Sequence, residues 1–229
     1  MSTTTANRPK TVSQWLFQKL RDAIIRGDFV EGSPIRQDAI AAEYDVSRMP
    51  VREAMRLLEA EGLVNQVPHK GVVVAALNAD DARELFEIRS ALETVGITRS
   101  FPALTNDDIE VIEKAYFDLK NAKQKEILVL HRYFHLTLYR AAGMRLQKMI
   151  AEQLDAAQRY HLRFGRGDMV VSDDDDKEHY ALVQAARAKN AAAAVRIIQP
   201  HVAGSGVSIA ASIEERNKHC ESLGASEST

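Results

Sequence analysis

The chain of 229 residues contains a single cysteine, Cys220. No disulfide framework can form within one chain, and a reducing cytoplasm is the expected compartment. The first ten residues, MSTTTANRPK, lack the apolar core of a signal peptide, and nothing approaches the roughly 18 uninterrupted apolar residues of a membrane span. Neither secretion nor a membrane is expected. An excess of basic charge is missing too: 30 Lys and Arg stand against 32 Asp and Glu, a net charge of -2. This excludes a polycation that holds nucleic acid by total charge, so any such role has to rest on local placement. Residues 1–76 carry ten Lys and Arg against nine Asp and Glu, which is only slightly positive.

The length exceeds that of one usual domain, and two domains of about 70 and about 150 residues are expected. Residues 1–10 read as a flexible arm. A helix follows from Thr11, with Val12, Leu16, Leu20, Ala23 and Ile24 on one face and Gly27 as its stop. After the turn Glu31-Gly32-Ser33-Pro34, a short helix is expected from Gln37 to Tyr44. Asp45-Val46 then turns the chain into a third helix with Ser47 as N-cap and Val51, Ala54, Met55 and Leu58 as its buried stripe. Gly62 closes that helix. Leu63–Val67 and Gly71–Ala75 read as strands about the turn Pro68-His69-Lys70-Gly71. Three helices and a small hairpin over 11–76 make a winged helix-turn-helix, with 77–79 as linker.

Beyond the linker, strand alternation is absent. Helical periodicity recurs over about 80–100, 106–122, 124–142, 145–165, 176–189 and 191–212. The fold class is therefore mainly α, with an all-α bundle over 80–216. Pro200 is expected to kink the last helix, and 217–229 to form a flexible tail.

Arg48, Arg52 and Arg56 recur at i, i+4 and i+8, on the face opposite Val51, Met55 and Leu58. On an arbitrary helix such a stripe is a solvated face. On the second helix of a helix-turn-helix, beside a wing carrying His69, Lys70 and Gly71, it becomes a surface for double-stranded DNA. A helix N-terminus favours phosphate, and Arg reads guanine O6 and N7 bidentately. The run Ser47-Arg48-Met49-Pro50-Val51-Arg52-Glu53-Ala54-Met55, followed by Leu58-Glu59-Ala60-Glu61-Gly62-Leu63-Val64, resembles the GntR family of bacterial regulators. The likeness is continuous from about Thr11 to Val74. It implies operator contacts from Ser47, Arg48, Arg52 and the wing-tip Lys70, with Arg56 and His69 beside them. It also implies a ligand-responsive repressor of a metabolic operon that binds a palindromic operator as a homodimer. Met49 departs from the small hydroxyl residue common in the family, which bears on phosphate contact and base preference there.

In the second part His131 and His135 stand i, i+4 and point two imidazoles the same way, while His179 and His201 start one helix and end another. By spacing alone the pair reads as structural or as metal-binding. Arg89-Ser90-Ala91-Leu92-Glu93, His131-Arg132-Tyr133-Phe134-His135, Glu178-His179 and His201 resemble the R-x-x-L-E, D-x-x-F-H and two later histidines of the helical effector domain of the FadR subfamily, called FCD. That resemblance covers about 80–212. It implies an Asp and three His holding a divalent metal on the floor of a pocket that accepts a carboxylate, so the effector is expected to be a small organic or sugar acid. Here His131 replaces the Asp, and four neutral imidazoles suit zinc or nickel rather than harder ions such as manganese or magnesium. Pro200 beside His201 is a second departure.

Arg89, Tyr133 and Arg159 are candidate effector contacts, although Arg89 can equally pair with Glu93 one helical turn on. The run Asp173–Asp176 lacks the glycine and spacing of a calcium loop and reads as an acidic lead into the next helix. A metalloenzyme built on the histidines is the competing class. No nucleophile, HExxH motif or paired carboxylates accompany them, so no enzyme is expected.

Overall fold

The computed structural model describes residues 11–123, 126–164 and 173–226, with side chains for all of these except 173 and 220–226. The chain divides into two compact units, the first ending at Leu77 and the second beginning at Asn78. The expected arm, 1–10, lies outside the described residues.

In the first unit α1 spans Val12–Arg26. The Thr11 hydroxyl accepts from the Gln14 N–H at its start. Gly27 stops it in the left-handed region at φ 81°, a conformation open to glycine without a Cβ clash. Helix α2 is Gln37–Glu43 and α3 is Arg48–Ala60. Asp45 makes the tight turn between them at φ 49°, which its short polar side chain tolerates. Leu16, Leu20 and Ile24 of α1 bury against Val51, Ala54, Met55 and Leu58 of α3, the stripes expected from their spacing. Val12, at the first position of α1, is half-exposed instead.

Strands β1 (Val64–Val67) and β2 (Gly71–Val74) form an antiparallel hairpin, with Val64 opposite Val74 and Val67 opposite Gly71. The sheet carries one feature beyond the expected hairpin. Pro34 bridges Val73, and the Ile35 N–H donates to the Val72 carbonyl at 2.8 Å, so the turn before α2 adds a short third rung. This rung ties the start of α2 to the wing.

The second unit is all α among the described residues: α4 (Ala79–Ser100), α5 (Asn106–Lys120), α6 (Ile127–Leu138), α7 (Met144–Phe164), α8 (Asp173–Arg187) and α9 (Ala191–Ser226). Helix α4 packs along α9 and α7, α5 along α6 and α8, and α8 on α9. Caps set several starts. The Asn78 side chain accepts from the Asp81 N–H at 2.7 Å, and Thr105 and Asp108 cap each other at the head of α5.

Three boundaries differ from expectation. Helix α6 is shorter at both ends than 124–142, with 124–125 outside the described residues. Asp173–Asp176 form the first turn of α8 rather than a loop before it, where their charge suits the helix N-terminus. Helix α9 continues through Pro200 and on to Ser226, in place of a flexible tail from 217. Ala194, Ile198, Val202, Ile209, Ala210 and Ile213 give it a continuous buried stripe across the proline. The straight-chain residues Glu214, Glu215, Arg216 and Lys218 then extend it past the expected stop. Residues 227–229 lie outside the described part. No helix among the described residues is long and apolar enough to cross a membrane.

Candidate functional site

On the first unit, α3 buries Val51, Ala54, Met55 and Leu58 and turns its arginines outward. Ser47, Arg48, Met49, Arg52 and Arg56 are all exposed, as are His69 and Lys70 at the hairpin tip, while Gly71 is half-buried. Ser47 occupies the N-cap position with extended backbone, yet its hydroxyl makes no cap bond. The first turn of α3 thus keeps unsatisfied N–H groups, the arrangement that attracts a phosphate. Arg48 Nε lies 2.7 Å from Asp38 Oδ1 of α2, and Arg56 lies 3.9 Å from Glu53.

A groove of about 900 Å³ runs between the elements. Arg36 and Gln37 at the start of α2 line it together with Arg48, Met49 and Arg52 of α3 and Lys70 of the wing. His69 sits at φ 63° in a turn closed by the Lys70 N–H on the Val67 carbonyl at 3.2 Å, which aims the wing tip outward.

On the second unit, His131 and His135 of α6, His179 of α8 and His201 of α9 meet, each offering a nitrogen within 4.8 Å of the others. The rings of His131 and His135 stand 4.5 Å apart, and those of His179 and His201 5.0 Å. Pro200 does not carry His201 away from the group. Burial holds His131 and His135 well below the ordinary imidazole range, with the neighbouring rings of the cluster adding to the effect. Burial, then His201, pushes His179 down to about 3. These three rings are therefore neutral near pH 7, with lone pairs free for a metal.

Two carboxylates orient the cluster from outside. Glu178 Oε2 is 2.6 Å from His201 Nδ1, and Glu93 Oε2 is 3.3 Å from His135 Nδ1. An Nδ1–H donated to the carboxylate leaves Nε2 as the lone-pair atom of His135. That atom and both nitrogens of His179 are buried without a hydrogen-bond partner among the described residues. Each orphan of this kind costs about 1–3 kcal/mol when nothing meets it. A divalent ion would satisfy the lone-pair nitrogens of both rings, His135 Nε2 and one nitrogen of His179, and four imidazoles are a chemically reasonable donor set, so the residues fit a metal.

The expected effector contacts fare unequally. Arg89 is 3% exposed and directs Nε and Nη2 at Glu93 Oε1, at 3.0 and 2.9 Å, so the pairing within α4 is the one formed. The Tyr139 hydroxyl donates to Glu93 Oε2 at 2.5 Å, and burial, reinforced by Glu93, raises its pKa well above the phenol range and keeps it a donor. Arg159 is buried on α7. Tyr133 is corrected to an outward position: it is 47% exposed, and two residues of helix set it about 200° from His131.

Several neighbours escape the motif reading. Tyr139 continues the i, i+4 series of His131 and His135, which is a usable signal. His161 extends the buried stripe Ile150, Leu154, Ala157 of α7, and its ring stands 6.1 Å from that of His131. Arg36, Gln37 and Asp38 carry no local pattern that links them to α3.

Comparison with known proteins agrees with both units. Residues 13–74 match the model of bacterial regulatory proteins of the gntR family, and residues 84–204 match the FCD domain. The HTH-type transcriptional repressor GlaR of Escherichia coli K12 is 26% identical over 198 residues, 81% of this chain and 90% of that protein. The gluconate operon transcriptional repressor of Bacillus subtilis 168 is 30% identical over 140 residues, 59% of this chain and 57% of that protein. A crystal structure of a GntR family transcriptional regulator from Pseudomonas syringae pv. tomato DC3000 is 31% identical, with a TM-score of 0.56. It covers 91% of this chain and 88% of that one.

Proposed function

Because the chain belongs to the GntR family of bacterial regulatory proteins, with an FCD domain after its winged helix-turn-helix, we propose that it represses a metabolic operon and is released by a small carboxylate-type metabolite. It is a DNA-binding regulator and not an enzyme. Ser47, Arg48, Met49, Arg52 and Arg56 face the major groove of a near-palindromic operator, and His69, Lys70 and Gly71 of the wing face the flanking backbone. Two copies bind together, since one recognition helix offers too few base contacts for a specific site. The repressors named above support the direction of control, and the one named for a gluconate operon supports a metabolic operon as the target.

The sensing half rests on one observation: four imidazoles converge with buried nitrogens that nothing else in the described structure satisfies. His131, His135, His179 and His201 hold a divalent ion, zinc or nickel by the chemistry of a neutral nitrogen set. The ion supplies a positive centre for an anionic oxygen. Glu93 and Glu178 fix the ring orientations, and Arg89 and Tyr139 hold Glu93 in place.

A mobility-shift assay on the DNA flanking its own gene, challenged with a panel of organic and sugar acids, tests the proposal. A retarded band released by one acid without turnover of that acid is expected. A complex indifferent to every acid in metal-loaded protein overturns the sensing assignment. Sedimentation of a single copy on saturated operator overturns the dimer.

A further inference from the structure

His161 stands beside the four-histidine group without belonging to it. Its ring meets that of His131 edge-on, at 6.1 Å, and that of Phe86 edge-on, at 5.5 Å. Its nitrogens are not among the four donor atoms that gather within 4.8 Å. Whereas His135 and His179 are sealed, His161 is only half-buried as a residue. No hydrogen bond to its ring forms among the described residues. In either tautomer the imidazole carries an N–H to donate.

An anionic oxygen brought to the metal needs a donor as well as an ion, because a buried carboxylate left half-satisfied is costly. Of the two guanidiniums that sequence reasoning offers for this purpose, Arg89 is engaged on Glu93 Oε1 through two of its nitrogens, and Arg159 on α7 has partners of its own. Tyr139 spends its hydroxyl proton on the same carboxylate. His161 has a ring N–H that no described group takes up, at the edge of the cluster.

We propose that His161 recognises the effector, donating its ring N–H to an oxygen of a small carboxylate seated on the ion that the four histidines hold. This rests on the metal and carboxylate reading above. His161 then sets specificity for an anion while taking no part in holding the metal. A fifth ligand and a plain space-filler against Phe86 are the competing roles, and each leaves a different trace.

Cobalt(II) loaded into the full-length protein reports on the site by its visible spectrum, with acetate as the probe carboxylate. His161→Phe keeps the ring and its edge contact while removing the donor. It is expected to retain the wild-type cobalt stoichiometry and spectrum, and to bind acetate about tenfold or more weakly. His161→Gln, which restores a donor, is expected to recover most of that loss and stands as the test if the Phe variant fails to fold. Loss of cobalt from a folded variant makes His161 a ligand and overturns the proposal. Unchanged acetate affinity in both variants makes it a space-filler and does the same. A wild-type protein that takes up no cobalt overturns the metal reading beneath it, and one that takes up cobalt but ignores acetate overturns the proposal alone.

Discussion

Arg52 stands on α3 between two arginines that already have acidic neighbours. Arg48 faces Asp38 and Arg56 faces Glu53, whereas no ion pair to Arg52 forms among the described residues. These exposed pairs are worth about 0–1 kcal/mol, so DNA can displace them, but Arg52 needs no displacement at all. Arg52→Ala is accordingly expected to weaken operator binding by about 1–3 kcal/mol and to relax discrimination at one base position, with the fold unchanged. Fluorescence anisotropy against operators altered one base pair at a time measures this, and an affinity equal to wild type would refute it. The stripe is legible in sequence because the helical period alone places residues 48, 52 and 56 together. The pairing of Arg48 with Asp38 is not, since ten residues and a turn separate them and no spacing rule connects α2 to α3.

At the scale of elements, the contact between α4 and α9 depends on a missing side chain. A Cβ on Gly206 would lie 2.5 Å from the Cβ of Phe86, and neither atom can swing away, while one on Gly204 meets nothing within 4 Å. The two glycines share a helix and differ only in what they face. Gly204→Ala should raise stability by about 0.5–1 kcal/mol through helix propensity. Gly206→Ala should lower it by about 1–2 kcal/mol after the same gain is set against overpacking. Urea unfolding of the two variants decides this, and a shift of the same sign in both would refute the packing account.

Helix α5 offers a second test through its cap. Burial works to raise the Asp108 pKa, but the Thr105 N–H and hydroxyl, at 2.9 and 2.8 Å, and Arg140, at 2.7 Å, outweigh it and hold the carboxyl below its ordinary value. A lowered folded pKa contributes stability above the unfolded pKa of about 3.9 and loses it as pH falls through the folded value. Asp108→Ala is thus expected to cost about 1 kcal/mol at pH 7, with most of the deficit gone below the folded pKa. Melting temperatures across pH 7 to 2 check it, and a deficit independent of pH would count against the cap. Helix identity throughout this unit is readable from apolar periodicity. The length of α9 is less so, because a proline and a polar end both argue for stopping where the buried stripe and good helix formers carry on.

For the whole molecule, the arginine stripe of α3 and the histidine cluster fall in separate units, so each can be altered without dismantling the other. The cluster itself is assembled from α6, α8 and α9, and only the i, i+4 pair on α6 has a local signature. Its other members are legible through the family's pattern, and the orphaned nitrogens of His135 and His179 become visible only once the helices are packed. His135→Ala removes one donor and leaves Glu93 to Arg89 and Tyr139. Loss of one ligand from a four-donor set should reduce zinc or nickel affinity by well over about tenfold, since even an outer-sphere partner is worth about 10–100-fold. Metal-stripped wild type should gain thermal stability on adding either ion, by mass action on the folded state, and the variant should not. Operator affinity without effector should survive, because Arg48, Arg52 and Lys70 belong to the first unit, while release by the effector should be lost. Metal analysis, melting with and without zinc or nickel, and mobility shift on the same preparations supply the three readings. No bound metal and no stabilisation in wild type, together with normal effector release in His135→Ala, would return the four histidines to an ordinary structural role.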